Sequence, residues 1–426
     1  MKILLIAYYF PPLNTGGTTR PLKMAKFLEQ FGHEVTVLTH TYEQTRFTEP
    51  AVIRIKDISN NKNRKGFKRF TWLLLRLYTE ALNRLGIYHS IYSWWKGKVI
   101  KNRDKIMETV KPGMIIASYP PVETLETGLF LSKEYNIPLI SDFRDGLLFE
   151  PIEEKRIDRY PCIKKTYEAI EKAAAEHSSA VITITNVITG YFSKKYPGIK
   201  VETISNGFDP DDFTGLTNAH QPAFEPGTFN IVHTGRFGLS DTAISADSFF
   251  QAIREMIKEK AEWKNKIKIH LAGELNRNEL ASIQDLIEAG VVIYYGLVKR
   301  QVSLALQKEA DVLFIVTQPT RTSAVSAKIF EYLYAAKPIL ALTHKTAVAE
   351  IIEETGTGWV IYPNDKKSIR ELLEKLINEP KPTITPNPAK IREFSMHKQI
   401  KKLDELLKFI GDASGGPAGG QTFEKV

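Results

Sequence analysis

The sequence predicts two doubly wound α/β domains in tandem, and three observations carry that prediction. Short apolar, β-branched segments alternate with segments of helical period along nearly the whole chain. At 426 residues the chain is too long for one ordinary domain of roughly 100–200 residues. A polar stretch containing Pro and Gly, 214–228, has neither period and interrupts the series. We therefore expect an N-terminal domain over 1–213, a C-terminal domain over 228–390, a closing helix over 391–410, and a flexible Gly/Ala/Ser-rich tail over 411–426.

The elements follow in order. Ile3–Tyr9 reads as a buried strand, followed by a loop with Pro11, Pro12, Gly16 and Gly17. Arg20–Phe31 has helical spacing and stops at Gly32, and "HEVTVLT" alternates as a second strand. Strand, helix and strand in under about 40 residues make one unit of a parallel sheet. Strands are expected again at 114–118, 138–141, 180–185 and 201–205, with helices at 124–135 and 164–177 between them. After the polar stretch a second series begins. Its strands are expected at 230–234, 267–272, 291–295, 312–316, 338–342 and 358–362, with helices at 243–258, 302–309, 327–336 and 346–354.

Composition narrows the class. With 43% apolar and 25% charged residues, the chain has material for two cores and is not a disordered one. One cysteine, Cys162, excludes an intrachain disulfide framework and fits a reducing cytoplasm. No uninterrupted apolar run reaches the roughly 18 residues of a membrane-spanning helix. The net charge of +9 is concentrated: 62–105 holds twelve Lys/Arg against Glu80 and Asp104. Local basicity of this kind implies one surface with an anionic partner.

Within that segment, Phe70, Leu73, Leu74, Leu77, Ala81 and Leu85 fall at helical spacing, with Arg69, Arg76 and Arg84 mostly off the stripe. Trp72, Trp94 and Trp95 lie nearby. A basic amphipathic helix bearing aromatics suits an anionic membrane interface. The alternative is a helix packed on the sheet with a solvated basic face. Nucleic acid is a poorer partner, because no binding motif accompanies the charge.

Open parallel sheets bind ligands outside the carboxyl ends of their strands, and here those ends carry the unusual residues. Gly16-Gly17, between a strand and a helix N-terminus, allows backbone amides to approach an anion, although tight turns use the same pair. Arg236, after Gly235, suits bidentate contact with a diphosphate. Lys328 and Glu331 share a helical face, suiting a phosphate and a ribose diol, or else a plain i,i+3 ion pair. Ser323 and Ser326 precede that helix and are candidate contacts for donor sugar or phosphate. Asp142, Arg144 and Asp145 end a strand. They read as a catalytic base or acceptor-orienting group held by the arginine, or as a local ion-pair turn. Two sheets presenting these ends to one cleft would form a large polar site. His233 lies inside a strand and reads as a core residue, and Asp209-Pro210-Asp211 as a solvated turn. The histidines lack metal spacing such as HExxH, the Asp-x-Asp pair being the alternative place for a metal, and there is no GxGxxG, which argues against a dehydrogenase.

At this point the motifs resemble a family. "YYFPPLNTGGTTRPLKMAKFLEQFGHEVTVLT", "SYPPVETL", "PLISDFRDG", "VETISNGFDPDDF", "IVHTGRFG", "YYGLV" and "SAKIFEYLYAAKPILAL" resemble, in order, the motifs of retaining glycosyltransferases of family 4. The resemblance spans about 1–365. It implies the GT-B fold, two Rossmann-like domains with a last helix crossing back to the first, and a nucleoside-diphosphate sugar held mainly by the second. Gly16 and Gly17 would approach the donor phosphates, Arg236 and Lys328 would neutralise them, and Glu331 would bind the ribose. It further implies transfer with retention and no metal cofactor. Together with the basic aromatic segment, this leads us to expect a lipid-linked or polysaccharide acceptor in surface-glycan synthesis on the cytoplasmic membrane face. A nucleotide-sugar epimerase or a non-catalytic donor-binding subunit would share the fold. Two positions depart from the pattern. Ser323 stands where the family carries an acid eight residues before Glu331, and 237–244 lacks the lysine common after the arginine of "GR".

Overall fold

A computed structural model describes residues 1–13, 16–41, 51–57, 66–216, 224–236, 246–317, 320–379 and 384–415. It divides into two compact units, 1–205 with 396–426, and 206–395.

The first unit is built on seven parallel strands: β1 (Lys2–Ala7), β2 (Glu34–His40), β3 (Ala51–Ile55), β4 (Met114–Tyr119), β5 (Leu139–Phe143), β6 (Ala180–Thr183) and β7 (Val201–Thr203). Their order is β3-β2-β1-β4-β5-β6-β7. The central strands are apolar along their length, β4 being buried throughout, as expected of a parallel sheet covered on both faces. On one face Phe10, Met24, Leu28 and Ile116 pack with Ile400, Leu403 and Leu407. On the other, Leu4, Ile6, Trp95, Leu125, Phe143 and Phe192 form a second core. The Val122–Tyr135 helix lies so close to β4 that a side chain on Gly128 would overlap the Ala117 methyl group.

The second unit has six parallel strands: β8 (Phe229–Thr234), β9 (Ile267–Ala272), β10 (Val292–Gly296), β11 (Val312–Val316), β12 (Ile339–Leu342) and β13 (Gly358–Ile361). Their order is β10-β9-β8-β11-β12-β13. Cores centred on Phe249, Ile269 and Phe314, and on Leu313, Ile329 and Tyr332, cover its two faces. The predicted class, two doubly wound α/β units, is the observed one.

Several boundaries differ from expectation. The units divide at Ser205/Asn206 rather than in the polar stretch. Phe208 and Phe213 pack on Tyr334 with ring centroids 5.2 and 4.6 Å away, and Phe208 N–H donates to the Phe394 carbonyl at 2.9 Å. These contacts hold 206–213 to the second unit. The closing helix is two helices. Asn387 caps Pro388–Glu393, its Oδ1 accepting from Ala389 N–H at 3.1 Å. Met396–Gly415 then belongs to the first unit, with Met396, Ile400, Leu403, Leu407 and Ile410 buried along one stripe. His33 Nε2 meets Asp404 Oδ1 at 2.8 Å on that helix. The helix continues through 411–415, which the expected tail had included, and the rest of the tail lies outside the described residues. Edge strand β3 and the helices Asn186–Lys195 and Lys366–Asn378 were not foreseen.

Candidate donor site and N-terminal cavity

In each sheet the chain reverses its direction of strand addition once, between β1 and β4 and between β8 and β11. Such switch points open a crevice at the strand C-termini, where doubly wound proteins bind ligands. The residues singled out from sequence fall at these two places.

In the second unit, β8 ends at Thr234. Gly235 then takes a left-handed φ of +89°, a conformation that favours glycine, and its N–H donates to the Ala272 carbonyl at 2.6 Å. A side chain on Gly273 would overlap the Gly235 carbonyl. This close approach of backbones directs Arg236 outward, where it is exposed and pairs with Glu274. The Ala327–Ala335 helix points its N-terminus to the same spot. Ser326 sits at its N-cap without a side-chain capping bond, and Ser323, just before, is buried.

Lys328, in the first turn, donates from Nζ to the Arg236 carbonyl at 2.9 Å and lies 3.4 Å from His233 Nε2. Loss of solvent pushes its ammonium down to about 8, partly opposed by Glu331. His233 is buried, with Nδ1 2.9 Å from the Phe314 carbonyl. Burial, and secondarily the Lys328 charge, push it down to about 3. Its imidazole is neutral, and its Nε2 lies 3.3 Å from the Arg236 carbonyl as well as beside Lys328 Nζ. His233 is thus the core residue that sequence suggested, but one that positions Lys328.

Glu331 lies one turn on. It pairs with Arg300 Nη1 at 2.9 Å rather than with Lys328, and accepts from Gln307 Nε2 at 3.0 Å. Gln307 also donates to Thr234 Oγ1 at 3.0 Å. Arg300 further meets Asp212 at 3.0 Å. Arg300 and Gln307 were not foreseen as part of this cluster. Their only sequence signal is a helical period that brings 300 and 307 to one face. The 237–244 segment lies outside the described residues.

In the first unit, Gly16 and Gly17 stand between β1 and the Thr19–Gln30 helix. A side chain on Gly16 would meet open space, whereas one on Gly17 would press on Tyr9 and Arg144. Arg144 is buried and donates to three carbonyls: Tyr119 at 3.1 Å, Pro120 at 2.8 Å, and Gly17. It therefore ties the glycine loop to the end of β4.

Asp142 corrects the expectation of a catalytic role. It is fully buried, bound by Arg20 through Nε at 3.1 Å and Nη2 at 2.8 Å, and accepts from Ser118 Oγ at 2.7 Å. Arg20 also donates to the Ile204 carbonyl at 2.8 Å. A carboxylate enclosed in this way holds β4, β5 and the first helix together and has no face toward a reactant. Asp145 is half-buried next to Arg144. Asp209-Pro210-Asp211 forms a turn, with Asp209 capping Pro210–Phe213, but Asp209 is buried rather than solvated, because its side chain turns in to accept from Asp211 N–H at 3.1 Å.

The structure also contains a cavity that sequence reasoning missed. It opens beside the β4 C-terminus, with a volume of about 170 Å³, and is lined by Tyr9, Tyr92, Tyr119, Glu123, Glu153 and Tyr167 among others.

The basic segment departs from the packed-helix alternative. Phe67–Arg84 is a helix, but Phe70, Leu73, Leu74, Leu77 and Tyr78 face solvent, Leu77 with 65% of its surface exposed. The opposite face is anchored by Leu75, Thr79 and Asn83, with Asn83 Nδ2 donating to the His89 carbonyl at 2.9 Å. Arg69, Arg76 and Arg84 are exposed beside the apolar stripe. Among the described residues no helix is long and apolar enough to cross a membrane.

Comparison with known proteins agrees with this architecture. Residues 228–379 match the model of the family Glycosyl transferases group 1. No curated protein sequence matches the chain. Among solved structures, sucrose-phosphate synthase from Thermosynechococcus elongatus superposes with a TM-score of 0.66 at 13% identity, over 96% of this chain and 99% of that one. The α,α-trehalose 6-phosphate synthase from Burkholderia multivorans gives 0.62 at 12% identity, over 99% of both chains. The S. aureus MnaA–UDP complex gives 0.53 at 13%, over 99% of this chain and 100% of that one. At these identities the likeness is one of fold. The C-terminal domain thus matches the group 1 glycosyl transferases, and the chain has the GT-B fold of two Rossmann-like domains.

Proposed function

We propose that the protein is a retaining glycosyltransferase of the family 4 type, moving a sugar from a nucleoside-diphosphate sugar to a lipid-linked or polysaccharide acceptor. The observation that carries this reading is the convergence of Arg236 and Lys328 at the end of β8 and the start of the Ala327–Ala335 helix. When the sugar leaves, negative charge develops on the diphosphate. Preorganised cations and helix-terminal amides stabilise that charge, so the basic side chains do the work a metal ion does elsewhere. Glu331, oriented by Arg300 and Gln307, keeps lone pairs for a ribose diol. Gly16-Gly17, braced by Arg144, offers the first unit's own backbone amides to an anion. The UDP named in the MnaA structure supports a nucleotide donor and makes uridine nucleotides the first to test.

The acceptor assignment rests on the Phe67–Arg84 helix. Its exposed apolar stripe with flanking arginines suits a peripheral seat on an anionic, cytoplasmic membrane face, where a lipid-linked acceptor would be presented.

The test is a thermal-shift screen with a panel of nucleoside-diphosphate sugars, followed by transfer assays with the one that binds. A ligand at 100 times its Kd raises stability by about 2.7 kcal/mol. Arg236→Ala and Lys328→Ala are expected to lose the shift and the turnover while melting like the parent. Undiminished turnover in both variants would overturn the assignment.

A further inference from the structure

The cavity beside β4 has a chemistry that the donor site does not use. Glu123, in the first turn of the Val122–Tyr135 helix, is completely buried. One carboxyl oxygen, Oε1, accepts from Tyr88 Oη at 3.1 Å and from Ser90 Oγ. The other, Oε2, is buried without any hydrogen-bond partner, although Glu123 lines the cavity. A buried polar atom left in this way has lost its hydration without replacement, a loss that a ligand group completing the bond would recover. Burial first, and the neighbouring Glu126 second, push the Glu123 carboxyl up to about 7.

The surroundings define what such a group can be. Tyr9, Tyr92, Tyr119 and Tyr167 contribute aromatic surface, with Tyr9 and Tyr92 sharing a hydroxyl–hydroxyl bond of 2.7 Å. The second acid, Glu153, is already engaged by Arg156 at 2.8 Å and Tyr167 at 2.7 Å. Among the described residues no Lys or Arg lines the cavity. The nearby cations are occupied, Lys96 by Glu126 at 2.9 Å and Arg144 by backbone carbonyls. A phosphate or carboxylate would face Glu123 and the already paired Glu153 without a cation of its own among the lining residues, and its desolvation would go uncompensated. A hydroxyl both donates and accepts, so it pairs with Glu123 whether the carboxyl is protonated or not. A volume of about 170 Å³, below the roughly 300–1,000 Å³ of drug-sized sites, admits one ring.

We propose that this cavity is a subsite for one uncharged, hydroxyl-bearing sugar ring of the acceptor, with Glu123 Oε2 bonding a ring hydroxyl and the tyrosines packing on the ring face. The acceptor label rests on the glycosyltransferase reading, whereas the binding of a neutral sugar ring does not. The experiment separates the two. Saturation-transfer NMR is run on the donor-free protein with a panel of methyl hexosides, and each is then competed with the corresponding hexose 6-phosphate. We expect saturation of at least one methyl hexoside and no displacement by the phosphates. Glu123→Gln, which keeps the size of the side chain, should weaken that binding about tenfold. In transfer assays it should raise the acceptor KM about tenfold with donor KM unchanged. If no transfer occurs but the methyl hexoside binds and Glu123→Gln weakens it, the enzyme reading falls and the subsite stands. If no methyl hexoside binds, or hexose phosphates or amino sugars bind better, or Glu123→Gln leaves affinity unchanged, the subsite proposal is overturned. The wild-type competition arm holds even if a variant fails to fold.

Discussion

If Lys328 holds the donor diphosphate as proposed, donor binding is sensitive to pH in a calculable way. Its ammonium lies between the Arg236 carbonyl and the neutral His233 ring, and burial pushes it down to about 8. A bound diphosphate favours the charged form, so donor binding requires Lys328 to be protonated. The sign follows directly. Below about pH 7 the lysine of the free protein is charged and donor affinity is flat. Above about 8 each pH unit adds a tenfold protonation penalty, about 1.4 kcal/mol. At pH 9 the donor Kd should therefore be about tenfold higher than at pH 7. His233, held near 3, does not titrate in this range, and the diphosphate diester of a nucleotide sugar stays fully ionised. The assay is calorimetry of the nucleotide sugar found in the screen, from pH 6.5 to 9.5. Lys328→Arg, which stays charged throughout, should abolish the inflection, and Lys328→Ala should lose roughly 10–150-fold in affinity at pH 7, the worth of a charge-assisted hydrogen bond of about 1.5–3 kcal/mol. A flat profile in the parent protein, or the same inflection in Lys328→Arg, would refute the reasoning.

Four further outcomes can be measured. Arg20→Ala leaves Asp142 buried without its cation and should cost about 3–5 kcal/mol of stability in denaturant titration, whereas a purely catalytic Asp142 would leave stability unchanged. Gly273→Ala forces a methyl group into the Gly235 backbone and should destabilise by about 1–3 kcal/mol while weakening donor binding, read by melting and calorimetry. Leu73→Glu with Leu77→Glu acts on exposed side chains, so melting should hold within about 0.5 kcal/mol, while co-sedimentation with anionic vesicles at low salt is lost. Glu123 is raised from its ordinary 4.5 to about 7, so the native state holds a proton that the unfolded state releases. Wild type should therefore lose stability relative to Glu123→Gln as pH rises from about 4.5 to 7, with the gap constant above that.

Much of this was legible before folding. Apolar runs such as "KILLIA" and "VLFIV" could only be strands buried on both faces, and their alternation with helices required parallel sheets. The positions of the turn glycines and basic residues, Gly16-Gly17, Gly235-Arg236 and Lys328, at strand and helix ends were visible because the strand and helix periods stop there. Boundaries were harder to see. The polar run after Thr214 looks like a linker, but Phe208 and Phe213 bind the chain to the second unit eight residues earlier.

The fold class and the two-domain plan follow from local period, chain length and residue type. Which charged groups are enclosed depends on tertiary packing. Asp142 and Asp145 look alike in "DFRD", and it is Arg20, 122 residues away in sequence, that removes Asp142 from chemistry. The stripe of the Phe67–Arg84 helix has the same period whether it faces core or solvent, and the polar anchors Thr79 and Asn83 turn it outward. Glu123 sits in the first turn of a largely buried helix, where no local pattern marks it. Its unpaired oxygen and its cavity exist only because β4 and the loops holding Tyr9 and Tyr92 close around it. Burial and desolvation are properties of surfaces brought together from distant parts of the chain, and a linear pattern does not encode them.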